Sequence, residues 1–345
     1  MTGGPYDAVL VLSFGGPEGP QDVVPFLQRV TRGRDIPADR LAAVATHYEL
    51  FGGVSPINAA NRALIAALRT ELRRHGPDLP VYWGNRNWHP LVADTVRTMR
   101  DDGVRRALCF ATSAFAGYSS CRQYLEDLAA ARRDVGEDAP LIDKIGPYFD
   151  HPGFVGPLAD GATAALARLP AEERGRAHLV CCAHSVPMTQ ASTTDYATQV
   201  TGTARRVAAA VPGAHPWSVA WQSRSGPPNQ PWLEPDVSDH LESLAAGGVR
   251  AVVLVPVGFV ADHLEVIYDL DRVAAERAAE LGVTLVRSAT PGTDPRFVTM
   301  IRELVAEPGR VDPGRPWLAR TCAADCCPAP VTPRAGPGGR PAPEG

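Results

Sequence analysis

Residues 251–257 (AVVLVPV) carry no charge and no polar alternation, so a strand built from them must be covered by protein on both faces. Strands of that kind belong to parallel sheets, whose crossover connections lay helices on either side. Comparable runs occur at 7–14 (DAVLVLSF), 81–85 (VYWGN), 106–112 (RALCFAT), 178–185 (HLVCCAHS), 217–223 (WSVAWQS) and 283–288 (VTLVRS). Between them lie segments of helical period: one starting at Gln21, then 59–74, 91–100, 157–168, 196–211, 236–246, 268–281 and 295–306. This alternation predicts an α/β protein of two similar Rossmann-like lobes, each a parallel sheet flanked by helices, with an interdomain cleft. Its 345 residues exceed what one core usually serves, and 45% apolar content suffices for two. We place the lobes at 1–145 and 146–310, with the last helix packing back on the first lobe. A cysteine-bearing tail follows at 311–328, and a Pro/Gly-rich, disordered tail at 329–345.

Several function classes are excluded early. The longest uncharged apolar run, 251–261, is far short of the ~20 residues that span a bilayer, and the opening MTGGPYDAVL has no basic region. A cytoplasmic protein is expected. A net charge of −4 without a basic block argues against nucleic acid as a partner. Lys144 is the only lysine, so a Gly-Lys-Ser/Thr phosphate loop is absent. The turn after the first strand, GGPEGP, lacks the spacing of a dinucleotide-binding loop.

Candidate chemistry gathers where two apolar strands end. Beyond 251–257 a helical pattern starts at Asp262, and Asp262, Glu265 and Asp269 fall at i, i+3 and i+7, one face of an α-helix able to hold a cation. The plainer reading makes Asp262 the helix cap, Glu265 the partner in a capping box and Asp269 a solvated charge. His184 ends the run 178–185, and Pro187 forces a turn just after it. A histidine there can be merely structural. Paired with Glu265, it offers a borderline nitrogen and a hard oxygen, a set suited to Fe2+ or Zn2+ and to proton removal. In the loop TRGRDIP (31–37), Arg32 and Arg34 are placed to grip carboxylates, or are two solvated charges.

Of seven cysteines, Cys109, Cys181 and Cys182 lie in apolar strands and read as small core residues. Cys322, Cys326 and Cys327 crowd a polar tail, and Cys121, on a loop after a strand, is the only other cysteine outside the strands. Four thiolates suit Zn2+ or an iron–sulfur cluster, and spacing does not choose between them.

Five motifs, HYELFGGVSPIN (47–58), GNRNWHP (84–90), CAHSVP (182–187), QSRSGPPNQPWLEPD (222–236) and PVGFVADHLEVIYDLD (256–271), stand in the order and spacing of one family. Over residues 6–327 the chain resembles the ferrochelatases, in the bacterial coproporphyrin III branch whose members carry a [2Fe–2S] cluster. The resemblance implies a class II chelatase-like fold that holds the macrocycle between its two domains. It implies insertion of Fe2+ into coproporphyrin III, giving iron-coproporphyrin III in haem biosynthesis, with a downstream haem-pathway enzyme receiving the product. His184 and Glu265 match the catalytic pair and iron ligands; Ser55 and Tyr124 match porphyrin contacts, joined here by Phe14 and Arg32. Cys121, Cys322, Cys326 and Cys327 take the places of the cluster ligands. Two departures stand out: Phe14 replaces a tyrosine able to ligate product iron, and Val273 replaces a further helix carboxylate. The rival readings are a relative acting on protoporphyrin IX, one inserting another divalent metal, or a non-catalytic tetrapyrrole carrier. A Ser185 hydrolase is disfavoured, since no G-x-S-x-G elbow occurs and adjacent residues on a strand, His184 and Ser185, point to opposite faces.

Overall fold

The computed structural model describes residues 5–33, 36–226, 229–309 and 326–329. The first half runs β1 (Ala8–Ser13), α1 (Pro20–Val30), α2 (Ala38–Glu49), α3 (Ile57–His75), β2 (Val81–Asn85), α4 (Val92–Asp101) and β3 (Arg106–Ala111). A π-helical turn (Tyr118–Arg122), α5 (Gln123–Val135) and β4 (Leu141–Lys144) complete it. The second half runs α6 (Pro152–Arg168), α7 (Ala171–Arg174), β5 (His178–His184), α8 (Met188–Ala191), α9 (Tyr196–Ala210), β6 (Trp217–Gln222), α10 (Val237–Ala246) and β7 (Ala251–Val255). It ends with α11 (Leu264–Val266), a π-helical segment (Ile267–Val273), α12 (Ala274–Glu280), β8 (Thr284–Arg287) and α13 (Pro295–Ala306).

Each half builds a four-stranded parallel sheet with the same order, β2-β1-β3-β4 and β6-β5-β7-β8. The expected two-lobed α/β architecture is therefore present. The central strands β1 and β7 are buried at every position, as their unbroken apolar sequence requires. Several helices start with a proline that has no N–H to satisfy, as α1, α6 and α13 do. Capping oxygens open α10, where Asp236 accepts from Ser238 N, and α13, where Asp294 accepts from Arg296 N.

The core departs from two independent interiors. Alternate residues of each central strand face opposite ways, and one face of both sheets joins a single apolar cluster. It contains Val9, Val11 and Phe110 of the first sheet and Leu179, Cys181 and Val253 of the second, with Leu68, Phe154, Val200 and Phe297 from α3, α6, α9 and α13. The outward faces have their own cores, Leu10 and Leu12 against α4 and α5, and Val252 and Leu254 against α10 and α12. Helix α13 ties the halves by polar contacts too, since Thr299 Oγ1 and Arg302 Nε reach Glu71 Oε1 of α3 at 3.2 and 3.1 Å.

A fourth cluster sits over the ends of the sheets. It joins Val23, Phe26 and Leu27 of α1 and Ala45 and Tyr48 of α2 to Leu264 of α11. The α1–α2 hairpin, of which α2 was not anticipated, thus rests on the second half's acidic segment. No helix among the described residues is long and apolar enough to cross a membrane.

Candidate active site

His184 is the last residue of β5, in register with Gln222, the last of β6. Its main chain is held on both sides: Tyr196 Oη donates to His184 O at 2.9 Å, and Ser185 N donates to Gln222 O at 2.8 Å. The ring Nδ1 lies 2.5 Å from Ser185 O. A carbonyl can only accept, so in the neutral ring Nδ1 carries the proton and Nε2 keeps its lone pair. That Nε2 stands 3.6 Å from Glu265 Oε2, with the two side chains 35% and 50% exposed. Ser185 Oγ turns away and donates to Leu233 O at 2.9 Å, which leaves it unsuited to be a nucleophile.

Glu265 arrives by way of a tight turn. A Cβ on Gly258 would lie 2.7 Å from Ala183 Cα, so only glycine lets the loop after β7 rest on the end of β5. That loop delivers a histidine not singled out from sequence. His263 Nδ1 is 4.0 Å from Glu265 Oε2, and burial lowers its pKa against the opposing pull of the Glu265 charge. Its signal is present in the ADHLE motif, between Asp262 and Glu265.

The acidic segment differs from the single α-helical face expected. Asp262 does not cap the helix: the N-cap is His263, without a side-chain bond, and Glu265 completes no capping box. Both Asp262 oxygens instead bind the Arg287 guanidinium at 3.0 Å, and Thr290 Oγ1 reaches Oδ1 at 3.2 Å. Asp271 takes the other edge of Arg287 at 2.6 and 2.9 Å. The i, i+3, i+7 count assumed α-helical winding, and Ile267–Val273 is π-helical, a wider turn that redistributes side chains. Glu265 and Asp269 remain together. Asp269 Oδ2 accepts from Ser223 Oγ and lies 3.5 Å from Gln222 Nε2, which is also 3.5 Å from Glu265 O. Burial pushes the Asp269 carboxyl up to about 6; the Ser223 bond opposes that rise and the Glu265 charge adds to it.

The remaining candidate contacts lie in the first half. Phe14 follows β1 with 37% of its surface exposed, its ring 6.2 Å from Phe26 in an edge-on pair. Arg86, ion-paired to Asp127, lies between Phe14 and Tyr124, 5.9 and 4.7 Å from the ring centres. Tyr124 is only 4% exposed and belongs to the outer core of the first half. Ser55 is buried, its N–H bonded to Pro17 O at 2.8 Å, and packs so closely that a Cβ on Gly16 would come within 2.7 Å of it. Arg32 is exposed just beyond α1, and Arg34 lies outside the described residues.

Helix α2 reaches across to the second half. His47 stacks on Tyr268 with ring centres 4.0 Å apart, and Arg40 donates to Ser225 O at 2.5 Å. Burial, and after it the charge of Glu265, raises the pKa of the Tyr48 hydroxyl.

Cys121 is buried in the π-helical turn, not on an open loop as expected. Residues 326–329 return the tail to it: the Cys327 thiol is pushed up by burial and then by neighbouring Cys121, while Gly117 N–H and the Cys326 side chain hydrogen-bond it. Cys327 thus neighbours Cys121, Cys326 and the Gly117 N–H. Cys322 and residues 330–345 lie outside the described residues. Among the described residues, no group of three or more His, Cys, Asp or Glu is arranged to hold a metal ion.

Residues 6–308 match the family model described as Ferrochelatase. The chain is 52% identical to a coproporphyrin III ferrochelatase of Streptomyces coelicolor, covering 95% of each protein. It is 54% identical to one of Nocardia farcinica, covering 93% of this chain and 96% of that protein. Among solved structures it resembles SirB from Bacillus subtilis with Fe3+ at a TM-score of 0.53 and 13% identity, covering 87% of this chain and 94% of that one. That likeness concerns the fold.

Proposed function

The chain belongs to the ferrochelatase family, and from that premise we propose that it inserts Fe2+ into coproporphyrin III, giving iron-coproporphyrin III and two protons. Relatives about half identical over nearly the whole chain, and named for that activity, support the substrate. The observation that carries the mechanism is His184 Nε2 facing Glu265 Oε2 at 3.6 Å, with Nδ1 held 2.5 Å from Ser185 O.

Insertion asks for two things at one point: bases for the pyrrole protons and ligands that replace the water around the ion. His184 Nε2 offers a lone pair fixed in direction by the bond from Nδ1 to Ser185 O, so it accepts a pyrrole proton without reorienting. Glu265 supplies a negative oxygen within reach of both His184 and His263, and it compensates the imidazolium formed when either ring takes a proton. Fe2+ enters as substrate, with His184 and Glu265 as its protein ligands. Asp269, whose carboxyl burial pushes up to about 6, then passes protons away from the pair. Phe14 offers the macrocycle a flat apolar face, while Ser55, Tyr124 and Arg32 complete its contacts, Arg32 by its charge toward the carboxylates of coproporphyrin.

Cys121, Cys322, Cys326 and Cys327 would ligate a [2Fe–2S] cluster that ties the tail to the first half. The convergence of Cys121, Cys326 and Cys327 supports this. When bound, the cluster is a structural clip, and no proton or iron step involves it. We assign residues 1–145 and 146–310 to the two lobes, with a cytoplasmic site of action and a downstream haem-pathway enzyme taking up the product.

Absorption spectroscopy of the anaerobic protein with Fe2+ and coproporphyrin III tests the activity: the porphyrin bands convert to those of the iron complex, whereas a carrier would leave them unconverted. Visible absorption of the purified protein, lost on dithionite reduction and absent in Cys121→Ser, tests the cluster. Stoichiometric zinc in colourless, active protein would refute it.

A further inference from the structure

Among the described residues, only Ser223 and Cys327 are non-glycine residues with positive φ, and Ser223, at φ 61°, stands directly after β6 beside the candidate site. In that left-handed region a Cβ crowds the following carbonyl oxygen. Glycine enters it freely and asparagine with some ease, so serine is a costly occupant. The hydroxyl gives a reason for it. Ser223 Oγ donates to Asp269 Oδ2, and the neighbouring Gln222 Nε2 lies 3.5 Å from both Asp269 Oδ2 and Glu265 O. The turn that ends β6 is thereby fastened to the π-helical segment at Asp269 and to the backbone just before it at Glu265. A π-helical stretch is intrinsically poorer than an α-helix of the same sequence and persists where its surroundings hold it. Rewinding Ile267–Val273 as α-helix would swing Asp269 to a new azimuth and draw on the preceding residues.

The geometry points to Ser223 as a positioning residue for metal insertion: its strained backbone is retained because its hydroxyl holds Asp269 and fixes the π-helical winding that keeps Glu265 facing His184. This rests on the reading of His184 and Glu265 as the insertion pair. Ser223 touches neither iron nor porphyrin and acts wholly through Asp269 and its segment.

The test compares Ser223→Gly with Ser223→Ala in the full chain. Alanine keeps the backbone strain and loses the hydroxyl, while glycine loses both. Both variants should lose about 10-fold or more in kcat for Fe2+ insertion, the range for a hydrogen bond to a charged group, with KM for coproporphyrin III changed by less than about 2-fold. Their stabilities should diverge, with the alanine variant ~2–4 °C lower in Tm and the glycine variant closer to the unaltered protein. Activity that follows Tm, or a glycine variant turning over at the unaltered rate, would overturn the proposal. In an Asp269→Ala background, which leaves the Ser223 hydroxyl no acceptor on that side chain, Ser223→Gly should cost nothing further, and an independent, additive loss would equally overturn it. Failure of the unaltered protein to insert iron would instead strike the parent function, and it is read in the control before any variant.

Discussion

The two halves fold alike and end differently. By position in the sheets, β1 corresponds to β5 and β2 to β6, and the paired last residues Ser13 and Asn85 correspond to His184 and Gln222. On the first sheet this end is closed by neutral groups: Thr112 Oγ1 donates to Ser13 Oγ at 2.9 Å, and Asn85 Nδ2 donates to His89 O and Asn58 Oδ1 at 3.0 and 3.3 Å. Ser13 and Asn85 are fully buried. On the second sheet the same end carries two imidazoles and two carboxylates, with His184 and Glu265 partly exposed. A topology that creates two equivalent positions for chemistry is used at one and sealed at the other, so the strand order identifies where a site can be and the side chains decide whether it exists.

The comparison breaks most sharply at His184. His184→Ala should still bind porphyrin and lose insertion by at least ~10²-fold, the lower end for a lost general base, and Glu265→Gln should nearly abolish it with the fold intact. Ser13→Ala, at the equivalent position, should leave kcat essentially unaltered. If Ser13→Ala proved as damaging as His184→Ala in protein of normal Tm, the asymmetry would be wrong. Within the acidic segment the contrast repeats, for Asp262→Asn should weaken the tie to Arg287 and lower Tm while sparing turnover.

The next largest effect puts a charge on the sealed end. Asn85→Asp removes two donors from a fully buried position and sets a carboxylate against two acceptors, at a cost on the order of 3 kcal/mol or more near neutral pH. Thermal unfolding should show a deficit that shrinks as acid protonates the new group. Asp269 provides the mirror experiment. Because folding raises its pKa from near 4 to about 6, its contribution to stability is complete below about pH 4 and is lost as pH rises through 6. Asp269→Asn should therefore raise Tm by a few degrees at pH 7.5 and hardly at all at pH 4. Equal gains at both pH values would mean that the carboxyl is not shifted. The smallest effect concerns Arg32→Ala, where an exposed side chain outside the core should alter stability by less than ~0.5 kcal/mol and be felt, if it grips a propionate, in KM for the porphyrin.

Much of the architecture was legible because parallel strands covered on both faces leave unbroken apolar runs; the runs at 81–85 and 106–112 fall on β2 and β3 within a residue. What escaped had weaker signatures for physical reasons. Strand β4 has four residues, none fully buried, at the edge of its sheet, so no apolar run marks it. Helix α2 buries only Ala45 and Tyr48, and it does so against α1 and Leu264 rather than a sheet, which leaves its period faint. His184 and Glu265 could be paired from two strand ends, but the roles of Asp262 and His263 depend on how a π-helical segment winds. No residue spacing computed for an α-helix reports that.

The shared core carries a consequence for how the protein is made. The inner face of the first sheet, with Val9, Val11 and Phe110, is covered partly by α6 and α13, and α13 ends at Ala306. Synthesis proceeds at roughly 5–20 residues per second, so some 160 residues must still be added after the first half is out, a delay of about 8–30 s. Through that interval the apolar sheet face of the nascent first half is covered by α3 but lacks the cover that α6 and α13 later supply. Its fate on the ribosome then rests on chaperones that shield such surfaces, and a chain halted before α13 is a substrate for proteolysis rather than a half-working enzyme.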